Sequence, residues 1–167
     1  VIYLQLVNEN WKYLAPKIDL PDLCNDKKDV ELITLDGDYV EGRSFIDSND
    51  VIKGNQIHAV YLLPCEREDR KFDVNLNIEF SLLAINKWFT DKSKNQKLIF
   101  DINNHKKIDV TFLRVNKTMD WFDDKINNEK NLKLDISEKI KSIIFSNKDY
   151  FHNFHNKKFI IFFEGWE

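Results

Sequence analysis

Residues Ile57 to Phe89 read IHAVYLLPCEREDRKFDVNLNIEFSLLAINKWF, and the fold is decided there. An apolar run from Ile57 to Leu63 is stopped by Pro64. A charged segment follows, Cys65 to Asp73, and then an amphipathic pattern from Leu76 to Phe89. A strand carries apolar residues at consecutive positions only when both of its faces are covered. The stretch therefore predicts a buried central strand, a polar loop and a core-facing helix that supplies one of the covers. Ile78, Leu82, Ile85 and Phe89 fall at helical spacing, and Leu83 and Trp88 widen the stripe. Asn75 or Asn77 stands where the helix needs a cap.

Upstream, Val1 to Val7 alternates loosely and predicts an edge strand. Asn8 to Leu14 reads as a helical turn, before Pro16 and Pro21 break regularity. Asp22 to Asp29 is a polar linker. Asp36-Gly37 then separates Glu31–Leu35 from Asp38–Glu41, which predicts a β-hairpin with a type I′ turn. Asp47-Ser48-Asn49-Asp50 is a turn cluster leading into the central strand.

Downstream, Thr90 to Lys97 reads as a polar loop and Leu98 to Ile102 as a short strand. Ile108 to Val115 predicts a second clear strand, with Ile108, Val110 and Phe112 on one face and Leu113 and Val115 on the other. Thr118 to Trp121 opens a short helix, and Asn127 to Asn131 is loop. Asp135 caps a helix to Phe145, and Glu138 completes a capping-box spacing. Lys158 to Phe163 is a further apolar strand, closed by Glu164-Gly165.

The expected class is α/β, an α+β two-layer sandwich. It has a mixed sheet of about four to five strands, two main helices and an N-terminal β-hairpin. Residues 1–53 form the lead-in and residues 54–167 the sheet domain. The same order of elements fits a ferredoxin-like arrangement.

Bulk composition excludes several function classes. The chain has 167 residues, 43% hydrophobic and 32% charged, which is ordinary globular composition. A net charge of -3 gives no electrostatic case for nucleic acid or an anionic membrane. No apolar run reaches the ~20 residues of a membrane span. Cys24 and Cys65 are the two cysteines. They pair in an oxidising compartment or remain buried thiols in a reducing one, and no C-x-x-C is present.

No complete catalytic motif occurs: there is no G-x-G-x-x-G, P-loop, G-x-S-x-G or H-E-x-x-H. The loop Pro64 to Asp73 sets Glu66, Glu68, Asp69 and Asp73 against Arg67, Arg70 and Lys71, at the carboxyl end of the central strand. Open α/β sheets bind ligands there, and carboxylates beside arginine run acid–base work. A solvated, self-compensating loop is the favoured alternative. His152 and His155 stand i, i+3 and would share a helix face, but zinc needs a third ligand. His58, in an apolar strand, reads as a satisfied core histidine. Asp36-Gly37-Asp38 and Asp47 to Asp50 lack the oxygen ligands and closing Glu of a calcium loop.

Several segments together resemble a group of bacterial, exported proteins similar to zinc metallopeptidases. Ile57-His58-Ala59-Val60-Tyr61-Leu62-Leu63-Pro64 resembles their V-H-x-x-Y-x-x-P opening. The likeness runs through Asp69-Arg70, Trp88, Phe100-Asp101 and Ile108 to Arg114, and ends at Lys157 to Gly165. It spans roughly residues 54–165, in order, and no single piece is specific. In that group an H-E-x-x-H helix follows the last segment, where two histidines bind zinc and the glutamate activates water. The resemblance thus implies that this chain is the non-catalytic front half of such a domain, on which the remaining half packs. Its sheet would frame a cleft for a peptide or protein substrate. Zinc belongs to the full-length protein, and no catalytic, cofactor-binding or metal-ligating residue is assigned in this chain.

Overall fold

The computed structural model describes residues 2–4, 24–123 and 135–164. Its centre is a five-stranded mixed sheet. The strands are β1 (Ile2–Leu4), β2 (Leu32–Ile33), β3 (Gln56–Leu63), β4 (Val110–Val115) and β5 (Lys157–Phe163). They lie in the order β1-β5-β3-β4-β2. β3 is parallel to both of its neighbours, with Tyr61 opposite Phe112 and Phe162. Among the described residues β1 runs parallel along β5 over Ile160 to Phe162, and β2 closes the other edge antiparallel to β4.

The apolar runs become interior strands because the sheet is covered on both sides. One face carries Ala59, Tyr61, Leu63, Phe112, Ile160 and Phe162, packed under Ile78 and Leu82 of α1 (Asn77–Lys92). The other carries Val60, Leu62, Leu113, Val115, Phe159 and Ile161. It packs under α2 (Met119–Asp123) and α3 (Ile136–Ser146), through Met119, Phe122, Ile140, Ile143 and Ile144. Each such aliphatic side chain removed from water contributes about 1.5–3 kcal/mol. The α+β class, the mixed sheet and the two main helices stand as expected. A helix on each face adds a third layer to the expected two.

Asp135 caps α3, accepting the Glu138 N–H at 3.0 Å. In α1 the inward residues are Ile78 and Leu82, whereas Leu83 and Trp88 are exposed and do not widen the buried stripe. The residue that opens α1 is Leu76, in the left-handed region at φ 69°, with the Asn75 side chain accepting from Asn77 N–H at 3.2 Å. The short strand at Leu98–Ile102 reduces to isolated bridges at Phe100 and Ile102.

The hairpin at Asp36-Gly37 does not form. Asp36–Asp38 is a 3-10 turn, Gly37 does not take positive φ, and β2 pairs with β4 instead. A long-range ion pair outweighs the local turn preference. The buried Asp38 carboxylate accepts from Arg114 Nε and Nη2 at 2.8–3.1 Å, and from Leu35 N–H at 2.9 Å. The ferredoxin-like alternative also fails, since that sheet is antiparallel and β4, β3 and β5 are mutually parallel. The edge strand expected over Val1–Val7 is present at Ile2–Leu4. The turn expected at Asn8–Leu14, the loop at Asn127–Asn131 and Gly165 lie outside the described residues.

Candidate functional site

Two polar clusters flank the sheet core, one at each end of the parallel strands. At the carboxyl end, the loop after β3 folds back onto the sheet. Cys65 in this loop is joined to Cys24 by a disulfide, with Cα atoms 5.6 Å apart. The Arg43 side chain is fully buried between two carboxylates of the loop. Its guanidinium donates to Asp69 at 2.6 and 3.1 Å and to Asp73 at two distances of 2.7 Å. It also lies 3.9 Å over the Phe112 ring. Burial acts to lower the Arg43 pKa, but hydrogen bonds to Asp73 and Asp69 outweigh it and raise it above the ordinary value.

Arg114, inside β4, binds the same loop from beneath. Besides Asp38, it donates to the carbonyls of Pro64, Cys65 and Arg67 at 2.7–3.2 Å. Glu66 accepts the Met119 N–H at 2.5 Å, at the start of α2. At the tip of β5, Glu164 accepts from the Tyr61 hydroxyl and from Arg70. Burial, with the charges of Asp69 and Asp73, raises the Tyr61 pKa above the ordinary phenol range. Glu66, Asp69 and Asp73, read from the sequence as acid–base candidates, are each bound to a structural donor. Glu68 and Lys71 are exposed.

At the amino end, strand side chains and two loops converge on Lys157, the first residue of β5. Its ammonium contacts Asp47, lies 2.6 Å from Asp101 and 2.9 Å from Asp50. His58 of β3 bonds Asp101 through Nδ1 at 2.8 Å and Thr111 of β4 through Nε2 at 2.9 Å. Asp101, His58 and Thr111 thus align like a carboxylate–imidazole–hydroxyl triad. All are at most 1% exposed, so no substrate carbonyl reaches the hydroxyl.

Asp47, His58 and Asp101 also bring ligand atoms within 4.8 Å of one another, the one such group among the described residues. Two carboxylates and an imidazole are a chemically suitable donor set for zinc. The place is shared, however, with the Lys157 ammonium, which already contacts both carboxylates. Burial acts to lower the Lys157 pKa, but hydrogen bonds to Asp101, Asp47 and Asp50 outweigh it and raise it. Burial pushes Asp47 up to about 6, only partly offset by His58 and Lys157. Asp101 moves the other way, because hydrogen bonds from His58 and Lys157 outweigh its burial.

Two loops lock over this cluster. Asp47 N–H donates to Tyr150 O at 2.9 Å, and His152 N–H donates to Asp47 Oδ2 at 2.8 Å. The Asn153 side chain donates to Asp50 at 2.7 Å. Between the loops lies an open cleft of about 590 Å³, lined by Ile46, Asp47, His152, Phe154 and His155 among others. His152 and His155 share this cleft but join no group of three metal-ligating residues among those described.

The sequence pointed to the 64–73 loop and took His58 for a satisfied core histidine. It gave no role to Arg43 or Lys157, whose carboxylate partners are 26 to 110 residues away. The available signal was a polar residue inside or opening an apolar strand: His58, Thr111, Arg114 and Lys157. No helix among the described residues is long and apolar enough to cross a membrane. Compared with family models, curated proteins and solved structures, the chain finds no match.

Proposed function

We propose that this chain is the non-catalytic sheet subdomain of an exported, zinc-metallopeptidase-like protein, and that its sheet frames a cleft for an extended peptide. The observation that carries this reading is the outer edge of β5. This strand is apolar on both faces and runs over Lys157–Phe163, and among the described residues β1 pairs with Ile160 to Phe162 of it. The stretch of a strand that a shorter neighbour leaves uncovered is a pairing template. A further strand or an extended peptide adds there through backbone hydrogen bonds. The Cys24–Cys65 disulfide agrees with an oxidising compartment. The zinc chemistry would reside in an H-E-x-x-H helix beyond Glu167. Reading the coding sequence past that residue tests this directly. A frame continuing into H-E-x-x-H within about a hundred codons supports the reading. An immediate stop codon refutes it.

A second reading is a standalone α/β binding domain. β3 and β5 are adjacent and parallel, and the helices that follow β3 and precede β5 lie on opposite faces. That is a topological switch point, where open α/β sheets bind ligands at the carboxyl ends of the strands. Tyr61, Arg70 and Glu164 stand at its mouth. Peptide binding that survives substitution of Arg70 but is lost when a proline is placed in β5 would separate the two readings.

A further inference from the structure

From the geometry of the amino-end cluster we infer that Asp47, His58 and Asp101 form a preformed cation site whose resident cation is the Lys157 ammonium. The site becomes a divalent-metal site when that ammonium is removed. Three observations carry this. First, the ligand atoms of Asp47, His58 and Asp101 already converge within 4.8 Å in the folded chain. Second, the negative charge exceeds what Lys157 can neutralise. Three carboxylates, those of Asp47, Asp50 and Asp101, all contact one ammonium. Third, buried oxygens remain without a hydrogen-bond partner: Oδ1 of Asp47 and Oδ1 of Asp101, in residues 6% and 1% exposed. Such orphans are costly unless a donor or cation meets them.

Lys157 supplies the positive charge from within the chain, at the end of a flexible stem. The ammonium donates hydrogen bonds to Asp47 and Asp101 and lies 2.9 Å from Asp50 as an ion pair. The arrangement achieves with a side chain what zinc or manganese achieves with oxygen and imidazole ligands elsewhere. A cleft lined in part by Asp47 lies against one side of the cluster, whose ligand side chains are themselves shut from solvent.

The test uses three chains: wild type, Lys157→Ser and Lys157→Met. Serine removes the charge and leaves space, while methionine removes the charge but keeps the stem's volume. Thermal unfolding is followed with and without zinc or manganese at pH 7. The wild type should show no rise in melting temperature. Lys157→Ser should melt lower and recover with metal, its melting temperature rising with the logarithm of metal concentration. Native mass spectrometry should find one ion per chain. Lys157→Met should melt lower and not recover. If Lys157→Ser does not fold alone, refolding in the presence of metal reads the same outcome. Adding Asp101→Asn to Lys157→Ser should abolish the recovery, which separates this site from the surface histidines. Stoichiometric metal in the wild type would overturn the inference, since Lys157 would not then be the resident cation. Lys157→Ser left unrescued, or a rescue that persists with Asp101→Asn, would also overturn it.

Discussion

Replacing Arg43 with methionine should be among the most damaging single changes available, and the reason lies in what stays behind. The Arg43 side chain is fully buried, and Asp69 and Asp73 beside it are 8% and 2% exposed. Methionine restores most of the apolar volume over Phe112 but leaves two carboxylates facing each other without a cation. Breaking a buried pair from one side costs about 3–5 kcal/mol, chiefly through the charge left uncompensated. The lost cation–π contact adds about 1–2 kcal/mol. Against a total stability of about 5–15 kcal/mol for a domain, this is close to unfolding. If stranded charge is the cause, removing it should undo the damage. The combination of Arg43→Met, Asp69→Asn and Asp73→Asn should regain at least about half of the loss, because similar-volume neutral replacement of a buried ion cluster is often near neutral. Urea unfolding at pH 7 measures both variants. A loss under about 1 kcal/mol for Arg43→Met, or a triple variant no better than the single one, would refute the reasoning.

Three further outcomes are expected. Reducing the Cys24–Cys65 disulfide, which closes a separation of 41 residues, should lower stability by about 4 kcal/mol on the chain-entropy relation. Coincident urea curves with and without reductant would contradict this. Asp47, held near 6 in the folded chain against an ordinary 3.8, binds more protons folded than unfolded across that window. Its contribution to stability therefore falls as pH rises from about 4 to 6, whereas Asp50 and Asp101, both lowered, contribute stability that is lost as pH falls below the ordinary carboxylate range. Asp47→Asn should flatten the decline between pH 4 and 6, and an unchanged profile would show that another group titrates there. Tyr61→Phe removes the hydroxyl donor to Glu164 and should cost about 1–3 kcal/mol. A urea midpoint equal to that of wild type would mean that Arg70 alone satisfies the carboxylate.

The parts of the fold legible in the sequence were those set by side-chain period. Ile57–Leu63 announces an interior strand because every position is apolar or satisfied, and the structure buries nearly all of β3. Ile140, Ile143 and Ile144 announce the inner face of α3 by their spacing. What failed depended on partners far away in the chain. Asp36-Gly37 carries a hairpin preference worth less than the ion pair of Asp38 with Arg114, which lies 76 residues on. The outward turn of Leu83 and Trp88 was not readable either. Periodicity shows that a helix has an apolar stripe, not how wide a sheet lies beneath it.

The candidate site was illegible for a related reason. Acid-rich motifs such as Asp36-Gly37-Asp38 and Asp47-Ser48-Asn49-Asp50 look locally like cation loops lacking ligands. In the folded chain their charge is met by cations from the sheet: Asp38 by Arg114, Asp47 and Asp50 by Lys157. Arg43 does the same in reverse, carrying a positive charge from the lead-in to Asp69 and Asp73 of the loop after β3. In each case one partner lies on a segment with little apolar surface of its own and the other on or beside a strand of the core. These pairs hold residues 36–50 onto the sheet, which hydrophobic burial alone would leave loosely attached. A charged loop in such a chain is therefore first to be read as half of a buried pair. The other half is best sought among the few charged residues inside or opening apolar strands, here Arg114 and Lys157.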